Sequence, residues 1–116
     1  MEPPKPYREE RPWGGFVEFT RNTPSSVKVI TVNPGESLSL QNHAKRDEFW
    51  LVLSGTGTIT NGTNQIPASA GETHWIPRGI NHRLEAGNEP LKILEISFGD
   101  FQDSDIVRLE DKYGRK

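Results

Sequence analysis

Apolar residues in this chain fall in short clusters of β-branched and aromatic side chains. Gly, Pro or Asn cuts them apart roughly every dozen residues, and no long stretch repeats them at helical spacing. The clusters predict strands at Gly15 to Thr20, Ser26 to Asn33, Ser37 to Asn42, Glu48 to Ser54, Gly57 to Asn61, Thr63 to Ala68, Thr73 to Ile76, His82 to Ala86 and Leu91 to Phe98. Asn61-Gly62, between Thr60 and Thr63, predicts a hairpin whose two central residues both adopt positive φ, a type I′ turn. Many short strands with turn chemistry between them indicate an antiparallel sandwich or barrel.

Two of these runs are apolar on both faces. Phe49, Leu51 and Leu53 alternate with Trp50 and Val52, and Leu94, Ile96 and Phe98 alternate with Leu91, Ile93, Glu95 and Ser97. A small sheet buries both faces only under its own terminal segments or a second subunit, and the expectation is a homodimer. Residues 1–10, with Pro at positions 3, 4 and 6, read as an extended arm; residues 11–99 as the barrel; residues 100–116 as a polar tail packing on it.

Composition narrows the function. A length of 116 residues argues for one domain. Only 32% of residues are hydrophobic, with mean hydropathy −0.70. Even so, Leu, Ile, Val and Phe supply 27 of 116 positions and net charge is −2, which keeps the chain in the globular class. No apolar run is long enough to span a membrane and the first residues lack a signal-like apolar core, so the expected location is the cytoplasm and the expected partners exclude membranes. Fourteen basic residues against sixteen acidic ones, mixed along the chain, give no cationic face for nucleic acid. The chain has no Cys, which removes disulfides, thiolate nucleophiles and Cys-based zinc sites. Any metal must sit on His, carboxylate or amide oxygen.

Two glycine-anchored spacings offer such a set. From Gly35 the chain runs five residues to Gln41, one to His43, four to Glu48 and six to Gly55; from Gly71 it runs five to Pro77-Arg78-Gly79 and two more to His82. Gln41 and His43 share a strand face, and Glu48 can return to it across a short turn. His82 joins them if the sheet closes. Taken singly, a histidine in a polar hairpin is as readily a solvated side chain, and Glu48 near Lys45 and Arg46 a surface ion pair.

Together the spacings match the two motifs of the cupin superfamily. The likeness extends through Arg11-Pro12-Trp13-Gly14, Gln41-x-His43-x-x-Arg46-x-Glu48-x-Trp50, Ile76-Pro77-x-Gly79-x-x-His82-Arg83-Leu84 and Asp105-Ile106-Val107-Arg108-x-Glu110-Asp111-x-Tyr113-Gly114-Arg115. From Arg11 to Arg115 the chain resembles the type II mannose-6-phosphate isomerase cupin, a domain found alone or behind a mannose-1-phosphate guanylyltransferase. The resemblance implies an all-β double-stranded β-helix (jelly roll) with one divalent metal held by Gln41, His43, Glu48 and His82. Gln41 stands where many cupins carry a first His, in keeping with the isomerase family. Phe49 and Ala86 depart from the commoner His and Asn of the superfamily.

The implied activity is interconversion of mannose 6-phosphate and fructose 6-phosphate through an enediolate. The N/O donor set suits Zn, Mn, Co, Ni or Fe without choosing among them, and zinc is taken as the expected ion. Isomerisation also needs a base and positive charge for the phosphate. Glu95, on an apolar strand face, and Lys28, alternating with Ile30 and Val32, are the candidate bases; an ion pair of Glu95 with Lys28 or Arg83 is the competing reading. Arg46, Arg83, Arg108 and Arg115 are the phosphate candidates. Trp13 and Trp50 could stack on the sugar or simply fill core and rim. The rival functions are a non-catalytic sugar or sugar-nucleotide binding cupin and a metal-dependent cupin oxygenase.

Overall fold

The computed structural model describes residues 1–100, 102 and 104–111, and Arg115 lies outside them. Among the described residues the regular elements are eleven β-strands, with no helix: β1 (Tyr7–Arg11), β2 (Gly14–Glu18), β3 (Ser26–Val32), β4 (Leu40–Asn42), β5 (Arg46–Ser54), β6 (Gly57–Asn61), β7 (Asn64–Ala68), β8 (Thr73–Ile76), β9 (His82–Ala86), β10 (Leu91–Gly99) and β11 (Val107–Glu110). All pair antiparallel, in a β1-β2 hairpin, a four-stranded sheet β3-β10-β5-β8 and a five-stranded sheet β11-β4-β9-β6-β7. No helix of the described residues is long and apolar enough to cross a membrane.

The alternation of each strand decides what the two larger sheets enclose. Trp50, Val52, Ile93, Leu91, Val32 and Ile76 from the first meet Ile59, Leu84 and Ala68 from the second, forming one buried core. Burying such side chains stabilises by roughly 1.5–3 kcal/mol each. The register Glu95↔Trp50 and Glu95↔Lys28 places those three side chains on the same inward face. At one end of the barrel the inward positions turn polar, and the site lies there.

The outward face of the four-stranded sheet is also apolar, as its sequence alternation required. Phe49, Ile96 and Phe98 are buried there under Phe19 and Trp75, so the chain covers part of this face itself. Val27 and Val29 remain 60% and 56% exposed.

Residues 7–11 extend as the first strand of a hairpin, Tyr7 pairing with Glu18 and Arg11 with Gly14. Two local expectations are corrected. The β6–β7 turn lies one residue further on than the Asn-Gly signal suggests. Asn61 pairs with Asn64, and of the two loop residues Gly62 and Thr63 only Gly62 has positive φ, at 65°. That is the sign pattern of a type II′ turn rather than I′. Ser37 makes only an isolated bridge to Glu85, so the fourth strand begins at Leu40. Gly57 owes its place to close approach: a Cβ there would collide with the Glu85 carbonyl oxygen of the neighbouring strand.

Candidate functional site

The loop between β4 and β5 and the turn before β9 build the site. Asp47, at the start of β5, accepts the Arg78 backbone N–H at 2.8 Å and the guanidinium Nε and Nη2 at 3.2 and 2.9 Å. The next residue of that turn, Gly79, donates its N–H to the His43 carbonyl at 2.7 Å. The turn leading to His82 is thereby tied to the loop carrying His43, and Gln41 pairs directly with His82 across β4 and β9.

Ligand atoms of His43, Glu48 and His82 all lie within 4.8 Å of one another, and all three residues are buried. His82 Nε2 stands 3.1 Å and His43 Nε2 3.5 Å from Glu48 Oε1. Both rings are anchored from behind, His43 Nδ1 donating to the Asp105 carbonyl at 2.7 Å and His82 Nδ1 to the Ile80 carbonyl at 2.9 Å. A backbone carbonyl only accepts, so each ring carries its proton on Nδ1 and turns an Nε2 lone pair toward the carboxylate. For His43 the other nitrogen agrees, since Arg46 Nη2 donates to Nε2 at 3.0 Å.

His43 Nε2 already accepts from Arg46, but the His82 Nε2 lone pair faces a buried Glu48 oxygen that has no hydrogen-bond partner, an arrangement that a cation or an added proton would stabilise. Donors sharing one ion with bonds near 2.1 Å stand about 3.0–3.4 Å apart, close to the two separations from Glu48 Oε1. The residues therefore fit a divalent metal, with ring anchoring of the kind seen behind metal-bound imidazoles. Gln41 lines the same cavity, and its Nε2 points back to Ser39 Oγ at 3.2 Å, leaving the amide oxygen as its remaining donor. The donor set does not select among metals.

The cavity encloses about 70 Å³ and is lined by Gln41, His43, Glu48 and His82 together with Arg46, Trp50, Lys28 and Glu95. Trp50, 1% exposed, donates its indole N–H to Glu95 Oε2 at 3.3 Å, while Ser97 Oγ donates to Oε1 at 3.2 Å. Lys28 Nζ lies 3.7 Å from the same carboxylate. Burial, followed by the hydrogen bond to Glu48 and its charge, pushes Glu95 up to about 7 against the opposing pull of Lys28 and Ser97. Glu48 behaves in the opposite sense. Burial works to raise it, but its polar contacts with His82 and Glu95 and the pull that both imidazoles exert once protonated outweigh this and hold it at about 2. Burial also lowers His43, against the Asp105 carbonyl and Glu48, so the ring is neutral at neutral pH.

The candidates chosen from sequence divide. Gln41, His43, Glu48, His82, Glu95, Lys28, Arg46 and Trp50 meet around one cavity. Arg83 does not join them. It follows inward-facing His82 and precedes inward-facing Leu84, so it points out of the barrel and pairs with Glu85 at 2.8 Å and Glu110 at 3.2 Å. Arg108 sits opposite Gln41 on β11 but does not line the cavity. Trp13, in the β1–β2 turn, is 73% exposed. Asp47 and Asp105 went unnoticed as site builders because their partners, the Arg78 side chain and main-chain N–H groups, are brought near by folding and no spacing reveals them.

The sequence and the fold both match known proteins. The Mannose-6-phosphate isomerase C-terminal family matches residues 5–111. The Xanthan biosynthesis protein XanB of Xanthomonas campestris pv. campestris (strain B100) is 42% identical over 107 residues, 90% of this chain and 23% of that protein. Mannose-1-phosphate guanylyltransferase 2 of Escherichia coli O157:H7 is 42% identical over 105 residues, 89% of this chain and 22% of its own length. The chain thus spans less than a quarter of the curated relatives it matches. Among solved structures, a Klebsiella pneumoniae protein with a double-stranded β-helix domain superposes with TM-score 0.66 at 19% identity, covering 92% of this chain and 86% of that one. The strand order, the polar end of the barrel and the match along nearly the whole chain agree: this is a cupin domain of the mannose-6-phosphate isomerase C-terminal family.

Proposed function

We propose that the chain is a metal-dependent isomerase interconverting mannose 6-phosphate and fructose 6-phosphate. The observation carrying this reading is the pairing of the metal-ready His43, Glu48 and His82 with Glu95, a carboxyl at about 7 in the same cavity. A divalent ion held by these donors and Gln41 would supply Lewis-acid polarisation of the sugar carbonyl.

Proton movement falls to Glu95. Moving a proton between adjacent carbons needs a group that both accepts and returns it, and efficiency is greatest when its pKa lies near the working pH. Trp50 and Ser97 fix the carboxylate by donating to its two oxygens. The Lys28 ammonium faces it and stabilises the anion that forms when the proton leaves. A hexose phosphate exceeds the enclosed cavity and would extend into the adjoining recess of about 170 Å³ lined by Ser26, Val27, Lys28, Glu95 and Ser97. Of the arginines considered, Arg46 lines the cavity and is the phosphate ligand we favour.

The test incubates metal-loaded protein with mannose 6-phosphate and detects fructose 6-phosphate. Turnover is expected. Its absence with Zn, Mn, Co, Ni and Fe alike refutes the isomerase reading and leaves a sugar-binding cupin. His82→Ala should abolish stoichiometric metal uptake, and retained metal would refute the donor assignment.

A further inference from the structure

Outside the ligand set, one side chain holds the backbone of the His43 loop. The Asp105 carboxylate accepts the Ala44 N–H on Oδ1 at 3.0 Å and the Lys45 N–H on Oδ2 at 2.8 Å. These bonds clamp it to the two residues that follow His43 in the chain. Its own carbonyl then meets His43 Nδ1 at 2.7 Å. The local backbone supports this placement, with the Asp105 N–H donating to the Gln102 carbonyl at 3.0 Å and Arg46 Nη1 donating to that same carbonyl at 3.1 Å.

We propose that Asp105 is a positioning residue: by gripping the 44–45 backbone with its side chain it holds its own carbonyl against His43 Nδ1, and so sets the ring's tautomer and aim. The two functions sit on one residue sixty-two positions away in sequence. The carboxylate supplies the grip and the main chain supplies the acceptor. Without the grip, His43 Nδ1 loses a partner that only an ordered C-terminal segment provides. The ring can then rotate or move its proton to Nε2, and a protonated Nε2 has no lone pair to offer. His82 is a built-in comparison, because its Nδ1 rests on Ile80, two residues away on its own turn, and needs nothing from Asp105. In its bearing on metal binding the inference rests on the donor assignment above; in its bearing on the ring it does not.

The experiment uses the full chain as wild type, Asp105→Ala and Asp105→Asn. Long-range proton–nitrogen NMR of the metal-free protein at pH 7.5 reads each imidazole's tautomer, and titration with Co²⁺ alone reads affinity. In the wild type both His43 and His82 should show Nδ1–H. In Asp105→Ala, His43 should become mixed or turn to Nε2–H while His82 keeps its pattern, which certifies that the barrel is folded. Co²⁺ affinity should fall about 10- to 100-fold, as expected when the support of a ligand is lost. Asp105→Asn, which keeps one acceptor oxygen, should fall between. If His43 keeps the Nδ1–H tautomer in both variants, the inference is overturned. If the wild type binds no Co²⁺, the donor assignment fails while the tautomer result still judges Asp105.

Discussion

Replacing Glu95 with Gln tests what burying the proposed proton carrier costs the fold. The substitution keeps shape and the oxygen that accepts from Trp50 but removes the ionisable group. The carboxyl's ordinary value of 4.5 is pushed up to about 7 in the folded chain, so between those pH values the folded protein holds a proton that the unfolded chain has released. A folded state that binds more protons loses stability as pH rises. A difference of about 2.5 in pKa at about 1.36 kcal/mol each gives a loss of up to ~3 kcal/mol by pH 7.5. The side chain is 5% exposed, so solvent screening removes little of this. Urea unfolding of chelator-treated protein, followed by tryptophan fluorescence from pH 4.5 to 7.5, reads the effect. Glu95→Gln and wild type should have similar stability near pH 4.5, and the variant should gain up to ~3 kcal/mol over wild type by pH 7.5. The same variant should lose about 10²- to 10⁴-fold in isomerisation rate. A stability difference that stays constant across this range would refute the reasoning, because Glu95 would then ionise alike in both states.

Asp47 acts in the opposite direction. Burial works against its charge, but its bonds from Arg78 win and hold it below 3.8, so its stabilisation is present above that value and disappears as pH falls. Asp47→Ala should cost about 1–3 kcal/mol at pH 7, with the gap to wild type narrowing in acid unfolding below pH 3.8; a gap unchanged at pH 2 would contradict the ion-pair account. We also propose that a second copy of the chain covers Val27 and Val29. Light scattering should give a dimer for the wild type and a monomer for the double variant Val27→Glu, Val29→Glu, and a monomeric wild type would defeat the proposal.

Much of the fold was legible because period-2 alternation carries over directly into inward and outward faces. Trp50 and Val52 turned inward beside Glu48, and Phe49 and Leu51 turned outward, as their spacing required. Strands with weak alternation escaped. Residues 7–11 are nearly all charged and pair only within a hairpin, and residues 107–110 form four residues of edge strand. In the site, the meeting of Gln41, His43, Glu48 and His82 was readable from short spacings, whereas Arg83 shows the limit of adjacency: lying next to His82 in the chain puts it on the other side of the sheet. Asp47 and Asp105 could not be found this way, since the groups they bind, the Arg78 side chain and main-chain N–H groups, are brought near only by folding.

The donors also arrive from different parts of the chain. Gln41 comes from β4, Glu48 from β5, His82 from β9, and the grip on His43 from a residue beyond β10. A growing or refolding chain therefore lacks this cluster of donor side chains until both sheets have closed on each other. An ion that binds only the finished barrel cannot hasten its assembly; it lengthens the lifetime of the folded state by slowing the way out.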